Sequence, residues 1–130
     1  MVAGREQEYR DLALRFKDEF GTGKLVAASE IGAFGYFSNA YILDTVGLVS
    51  PEALKYYPLS PDLYSGTYAI PPDLVRDIQP AYVMTMEVFI ENGLLKDPQF
   101  LEQYSEIYRK PSEAYGGTNL LVFVRRSPDQ

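Results

Sequence analysis

The sequence predicts an α/β domain in which helices pack on a mixed, mostly parallel sheet. Short apolar segments alternate with segments of helical periodicity, and this alternation favours parallel strands joined by helices. The last two apolar segments follow each other across a short loop, which predicts a C-terminal antiparallel strand pair. The 130 residues are 46% hydrophobic, which suits one domain with its own core. We therefore expect a single domain over residues 1–130 with a Rossmann-like start.

The first segment predicts a helix from Arg5 to Phe20. Its apolar residues recur at the three- and four-residue spacing of a helix that buries one stripe. They are Tyr9, Leu12, Ala13, Phe16 and Phe20. The glycines at positions 21 and 23 favour a helix C-terminus, so residues 1–23 are expected to form an N-terminal connecting helix.

Two short strands and a tight turn are expected next. Residues 24–29 and 41–44 predict buried strands because both are short apolar runs. Between them, the Gly-rich run over residues 30–38 predicts a strand-to-helix turn and a short helix. Pro51 occupies the first position of a further predicted helix, which continues over residues 52–57.

The middle of the chain combines prolines with tyrosines. Residues 58–72 are rich in Pro and Gly, which predicts a surface loop. Tyr57, Tyr64 and Tyr68 lie in or beside this loop, and their amphipathic rings suit contact with a sugar, a membrane interface or a partner surface. They equally suit a structural role in which the rings fix the loop to the domain.

The C-terminal half predicts short helices and three strands. The predicted helices cover residues 73–78 and 97–101, with a helix or turn over 87–95 between them. The predicted strands cover residues 81–86, 104–110 and 119–126.

Composition excludes several kinds of chemistry. The chain contains no Cys and no His, so Cys nucleophiles, Cys/His zinc sites and Ser-His-Asp triads are excluded. Its 12 Lys and Arg against 18 Asp and Glu give a net charge of -6, which argues against nucleic acid as a partner. What remains is carboxylate, Tyr, Lys and Arg chemistry, or oxygen-ligated Mg or Ca. We predict neither a metal nor a cofactor.

The leading ligand-binding candidates follow the first two predicted strands. Ligands of parallel sheets bind where the strands end, and Glu30 and Asp44 occupy these ends. The glycines after the first strand form Glu30-x-Gly32-x-x-Gly35, which has one glycine fewer than a dinucleotide-binding fingerprint. In the alternative interpretation Glu30 caps the short helix and Asp44 accepts backbone N–H bonds in the following turn.

A longer pattern covers the same region. The run over residues 30–38, followed by Ile-Leu-Asp-Thr-Val-Gly-Leu from position 42, resembles the soluble C-terminal region of multi-spanning bacterial glycosyltransferases of the GT-C type. Those enzymes take sugars from polyprenyl-phosphate donors and are related to protein mannosyltransferases. The matching residues are Glu30, Ile31, Gly32, Ala33, Tyr36, Ile42, Asp44, Gly47, Leu48 and Pro51.

The resemblance implies a non-catalytic accessory or substrate-positioning domain on the extracytoplasmic face of a bacterial membrane. Its partners would be the transmembrane part of the parent enzyme and a glycan or polyprenyl-linked sugar. The catalytic carboxylate of that family lies in the transmembrane part, so the resemblance assigns no catalytic residue to this chain. Glu30, Gly32, Tyr36 and Asp44 are the ligand-binding candidates.

Two other functions remain open from the sequence. The chain would also suit a free-standing α/β protein or enzyme that binds a nucleotide-like molecule or a sugar through Glu30 and Asp44. A third interpretation is an interaction module that contacts its partner through the Tyr-rich loop.

Overall fold

The fold is seen in a computed structural model, which describes residues 2–20, 24–28, 41–44, 55–57, 59–64, 68–112 and 117–126. The described helices are α1 (Val2–Arg15), α2 (Lys17–Phe20), α3 (Pro72–Ile78) and α4 (Pro98–Gln103). The described strands are β1 (Leu25–Ala28), β2 (Tyr41–Asp44), β3 (Tyr82–Met86), β4 (Tyr104–Ser112) and β5 (Thr118–Arg125). Short 3-10 turns lie at Pro61–Leu63, Glu87–Phe89 and Leu94–Lys96. None of the described helices has the length and apolar character needed to cross a bilayer.

The described strands form one sheet in the order β2-β1-β3-β5-β4. β1 pairs in parallel with β2 on one side and with β3 on the other. The second neighbour of β3 is β5, which is antiparallel to it, and β4 pairs antiparallel with β5 at the edge. The sheet therefore has a parallel half around β1 and an antiparallel half around β5.

The predicted fold class, a mostly parallel sheet with a Rossmann-like start, is wrong. β1 and β2 have only four residues each, whereas β4 has nine and β5 has eight. The described helices of the C-terminal half are short as well, with seven residues in α3 and six in α4. The result is a small mixed sheet dominated by its antiparallel half. Local sequence patterns identify strands, but the length of each ladder depends on long-range pairing that these patterns do not contain.

Several predicted elements lie within two residues of their observed positions. This holds for β1, β2, α3, β3, α4, β4 and β5. The segment predicted as a helix or turn over residues 87–95 contains the 3-10 turn Glu87–Phe89. Of the helix predicted over residues 52–57, only 55–57 are described, and residues 55 and 56 have 3-10 conformation. The short helix predicted within residues 30–38 lies outside the described residues.

The helix predicted from Arg5 to Phe20 is observed as two helices, α1 and α2, separated at Phe16, and part of the predicted apolar stripe packs on the sheet. Leu12 and Ala13 are buried completely, and Phe16 is buried where α1 gives way to α2. The Phe16 ring lies 5.6 Å from the ring of Tyr108 in β4. The guanidinium of Arg15 lies 5.4 Å from the centre of the same tyrosine ring, which adds a cation–π contact to the apolar packing. The end of α1 is therefore attached to the antiparallel half of the sheet.

Tyr104 links α4 to the start of β3. Its ring stacks on Phe100 at a centroid distance of 4.8 Å, and only 3% of the residue is exposed. Its hydroxyl donates a hydrogen bond of 2.6 Å to the backbone carbonyl of Pro80. Burial raises the pKa of Tyr104 to about 12, because the phenolate would lose its hydration.

Candidate functional site

The parallel strands end at one edge of the sheet. Ala28, the last residue of β1, is in register with Asp44 of β2 and with Met84 of β3. β3 continues to Met86, and the 3-10 turn Glu87–Phe89 follows it directly. We call this region the carboxyl edge; it is the end of a parallel sheet at which ligands commonly bind.

The sequence candidates at this edge are described only in part. Asp44 is the last residue of β2, but the position of its side chain is outside the description. Glu30, Gly32 and Tyr36 lie outside the described residues. Their assignment as ligand-binding candidates stays a prediction.

Glu87 is the centre of a polar network at the carboxyl edge. Its Oε1 accepts a hydrogen bond of 2.8 Å from the side-chain amide of Asn119. Its Oε2 lies 3.6 Å from Nη1 of Arg109, and the side chains of Glu87 and Arg109 are 27% and 44% exposed. In the same turn the backbone N–H of Val88 donates to the hydroxyl of Thr118 at 3.0 Å. The start of β5 therefore holds the turn that follows β3.

Strand register explains why Arg109 and Asn119 meet Glu87. Arg109 of β4 lies opposite Leu121 of β5, and Asn119 lies two residues before Leu121. Because side chains two residues apart share a face of a strand, Arg109 and Asn119 are on the same face of the hairpin. Thr85 of β3 also pairs with Leu121, and Glu87 follows Thr85 by two residues. Arg109 and Asn119 thus approach from β4 and β5, and Glu87 approaches from the turn after β3.

Arg109 also forms a bidentate ion pair with Glu106. Its Nε and Nη2 nitrogens donate to the two carboxylate oxygens of Glu106 at 2.9 and 2.7 Å. These hydrogen bonds hold the pKa of Glu106 below its ordinary value, against a smaller opposing effect of burial. The same hydrogen bonds are the largest cause of the raised pKa of Arg109. The positive charge of Arg109 is therefore balanced within the site.

A pair of tyrosines adjoins the same turn. Tyr57 donates a hydrogen bond of 3.2 Å from its hydroxyl to the hydroxyl of Tyr68. The Tyr68 ring packs edge-on against Phe89 at a centroid distance of 5.3 Å, and the backbone carbonyl of Phe89 accepts from Ile70 at 3.0 Å. The structure thus brings together two of the three predicted loop residues. It connects them, through Phe89, to the turn that carries Glu87.

The other tyrosines of the segment face different partners. The backbone carbonyl of Tyr64 accepts a hydrogen bond of 3.2 Å from the side chain of Asn92. Tyr56 donates to Asp77 of α3 at 2.8 Å. Burial and this hydrogen bond raise the pKa of Tyr56 to about 12. Tyr64 and Tyr56 therefore attach the segment to the body of the domain.

Sequence reasoning missed Glu87, Glu106, Arg109 and Asn119. Glu87 carries the same signal as Glu30 and Asp44, because it follows a predicted strand directly, and the rule could have been applied to the third strand. The others come from the antiparallel hairpin, and their proximity to Glu87 depends on strand register. Among the described residues, no group of three or more Asp or Glu side chains is arranged to hold a metal ion.

A second polar region lies between α3 and α4. It surrounds a small pocket beside Arg76, Asp97 and Phe100. Arg76 forms ion pairs with Asp73 at 2.6 Å and with Asp97 at 3.0 Å. Asp97 also accepts a hydrogen bond of 3.0 Å from the backbone N–H of Gln99, which caps α4. The polar groups here serve the connection between the two helices.

The arrangement at the carboxyl edge suits the binding of hydroxyl groups. A hydroxyl both donates and accepts, and the network offers carboxylate acceptors next to guanidinium and amide donors. The adjoining tyrosines offer apolar ring faces with polar tips.

Comparison with known proteins assigns a family. No curated protein and no solved structure matches the chain. One family model matches residues 2–124, a stretch that begins with α1 and includes all but the last residue of β5. Since this match covers nearly the whole chain, the protein belongs to the family described as a domain of unknown function, DUF8728.

Proposed function

We propose that this chain is a non-catalytic, substrate-positioning domain of a membrane glycosyltransferase, exposed on the extracytoplasmic side. In this proposal it binds a sugar-bearing ligand at the carboxyl edge. Chemistry takes place in the transmembrane part of the parent enzyme, and the domain contributes binding and orientation. The resemblance over residues 30–51 to the C-terminal regions of GT-C type enzymes supports the proposal.

The observation that carries the proposal is the turn Glu87–Phe89. One end of this turn contacts Asn119 and Arg109, and the other end contacts the tyrosine pair through Phe89. Sugars present hydroxyl groups around their rim and C–H groups on their ring faces. A site that combines polar side chains with tyrosines complements both features. The sequence places Asp44 at the same edge, at the end of β2.

The first test is a binding titration of the purified chain. We expect neutral monosaccharides or their methyl glycosides to bind with a Kd of about 1 mM, which corresponds to about -4 kcal/mol. Glu87→Ala removes the acceptor at the centre of the network and should weaken binding about tenfold. Glu102→Ala is the matched control, because Glu102 is an exposed acid on α4.

Two results would contradict the proposal. One is that no saccharide binds at millimolar concentration. The other is that a nucleotide binds instead, which would favour the free-standing small-molecule-binding protein.

The second test uses the full-length membrane protein that contains this domain. Glycosyl transfer is measured in membranes for the unsubstituted protein and for Glu87→Ala. A positioning role that acts through binding predicts a raised KM with kcat unchanged. Abolished kcat with an unchanged KM would place Glu87 in the chemical step and would contradict a non-catalytic domain.

A further inference from the structure

We infer that the carboxyl edge selects a neutral glycan and rejects the phosphate of a sugar-phosphate donor. This inference rests on the proposed function and specifies its ligand. Arg109 and Glu87 recognise a hydroxyl group. The selectivity against phosphate comes from the bidentate ion pair between Arg109 and Glu106.

Arg109 and Glu87 are separated by more than the length of a hydrogen bond. Their closest atoms lie 3.6 Å apart, which is longer than the 2.7–3.2 Å of a direct N–H···O hydrogen bond. Among the described residues, Oε2 of Glu87 has no partner nearer than Arg109, whereas Oε1 is engaged by Asn119. A sugar hydroxyl beside this pair would accept from the guanidinium and donate to the carboxylate. Both protein groups would then complete their hydrogen bonding through one ligand group.

The network around Arg109 carries more negative than positive charge. Two carboxylates, Glu87 and Glu106, surround the single guanidinium of Arg109. Glu106 occupies Nε and one Nη2 hydrogen of Arg109, which closes one of the two edges at which a guanidinium binds a phosphate in a bidentate contact. A phosphate at the other edge would face repulsion from both carboxylates. A neutral hydroxyl meets neither obstacle.

The side chains of Arg109 and Glu87 are both accessible to solvent. Arg109 is 44% exposed and Glu87 is 27% exposed, so a ligand in solution reaches the pair without unfolding of the hairpin. Arg76 provides a contrast within the same chain. It forms ion pairs with Asp73 and Asp97 at hydrogen-bond distance, so its two carboxylates are already engaged directly.

The experiment is a set of NMR titrations that follow backbone amide shifts. Three probes are compared: a methyl glycoside as the neutral glycan, the 1-phosphate of the same sugar as the donor head group, and inorganic phosphate. We expect the methyl glycoside to shift amides of residues 87–89, 106–110 and 117–121. We expect the sugar 1-phosphate to bind at least about threefold more weakly, and inorganic phosphate to cause no shift there.

A gain-of-function variant tests the role of Glu106. Glu106→Gln removes the negative charge that pairs with Arg109, so the affinity for the sugar 1-phosphate should rise about five- to tenfold. Asp73→Asn makes the matched change beside Arg76 and should leave all three affinities unchanged.

The possible failures are distinguishable. Tighter binding of the sugar 1-phosphate than of the methyl glycoside by the unsubstituted chain would overturn the inference and leave the proposed function intact. The same holds if the methyl glycoside shifts only amides around the tyrosine pair. If none of the three probes binds, the proposed function itself is contradicted.

Discussion

At the amino end of β3 two side chains from β4 and β5 donate to backbone carbonyls, whereas at its carboxyl end Glu87 contacts the side chains of Asn119 and Arg109. Tyr104 donates to the carbonyl of Pro80, and Arg125 donates to the carbonyl of Gln79. Glu87 and Arg109, at the other end, are partly exposed and separated by 3.6 Å. Gln79 has a φ of 52°, so the chain turns sharply between α3 and β3 where these bonds converge.

The difference separates a structural end from a candidate binding end. The hydrogen bond from Tyr104 satisfies the carbonyl of Pro80 in a buried position without water, so its removal costs stability. Partly exposed ion pairs contribute little to stability because water screens them. We therefore expect substitutions at the amino end to lower stability, and substitutions at the carboxyl edge to change binding with little loss of stability.

Alkaline pH should produce the largest loss of stability. Tyr104 has a pKa of about 12 in the folded protein and an ordinary pKa near 10 when unfolded. Because the folded pKa is raised, its contribution is fully present below pH 10 and is lost as the pH rises toward 12. The loss from Tyr104 is about 2–3 kcal/mol at the upper limit. Urea unfolding measured from pH 9 to pH 12 checks this, and a flat profile would contradict the burial of the tyrosine.

Removal of the Tyr104 hydroxyl should have the next largest effect. Tyr104→Phe leaves the carbonyl of Pro80 without its 2.6 Å donor and should cost about 1–2 kcal/mol at neutral pH. It should also weaken the alkaline decline, since the ionisable group is gone. Thermal unfolding with Tyr108→Phe as control gives the comparison, because Tyr108 is a half-buried tyrosine of the same strand. Equal losses in the two variants would argue against a special role for the bond to Pro80.

Asp97 should show a smaller effect that separates capping from charge. Asp97→Ala removes the cap of α4 and should cost about 1 kcal/mol. Asp97→Asn keeps a capping oxygen and loses the ion pair with Arg76, so it should cost less than half as much. Chemical denaturation of both variants measures the two contributions. If Asn is as costly as Ala, the ion pair and not the cap is the main contribution.

The carboxyl edge should show the smallest effect on stability. Arg109→Gln removes the ion pair with Glu106 and should lower the free energy of unfolding by less than about 1 kcal/mol, because both side chains are partly exposed. The lowered pKa of Glu106 means that this stability is present above the ordinary pKa of Glu and is lost as pH falls through the folded value. In Arg109→Gln the pKa of Glu106 should return toward its ordinary value. NMR titration of the Glu106 carboxyl carbon measures this, and an unchanged pKa would exclude Arg109 as the cause.

The sequence predicts local elements of this fold better than their assembly. The apolar runs at residues 24–29, 41–44 and 81–86 correspond to β1, β2 and β3 because short buried strands have a strong local signature. The predicted sheet type is wrong because the lengths of the β3–β5 and β4–β5 ladders depend on pairing between distant residues. Burial of Leu12, Ala13 and Phe16 confirms three of the five residues predicted for the apolar stripe, which is also a local property.

The candidate site follows the same division. Glu87 could be found from the sequence, because it directly follows a predicted strand. Arg109 and Asn119 could not be assigned to it without the register that places both near Leu121. The contact between Tyr57 and Tyr68 joins residues eleven positions apart, and sequence spacing does not determine it.

The most direct test of the central claim is paramagnetic relaxation by a spin-labelled methyl glycoside. The label broadens amide signals near the bound sugar, and both ends of β3 are observed in one spectrum. We expect strong broadening at residues 87–89 and 118–120, and little broadening at residues 79–82 and 97–104. Broadening confined to the amino end, around α3 and α4, would contradict the assignment of the carboxyl edge as the binding end.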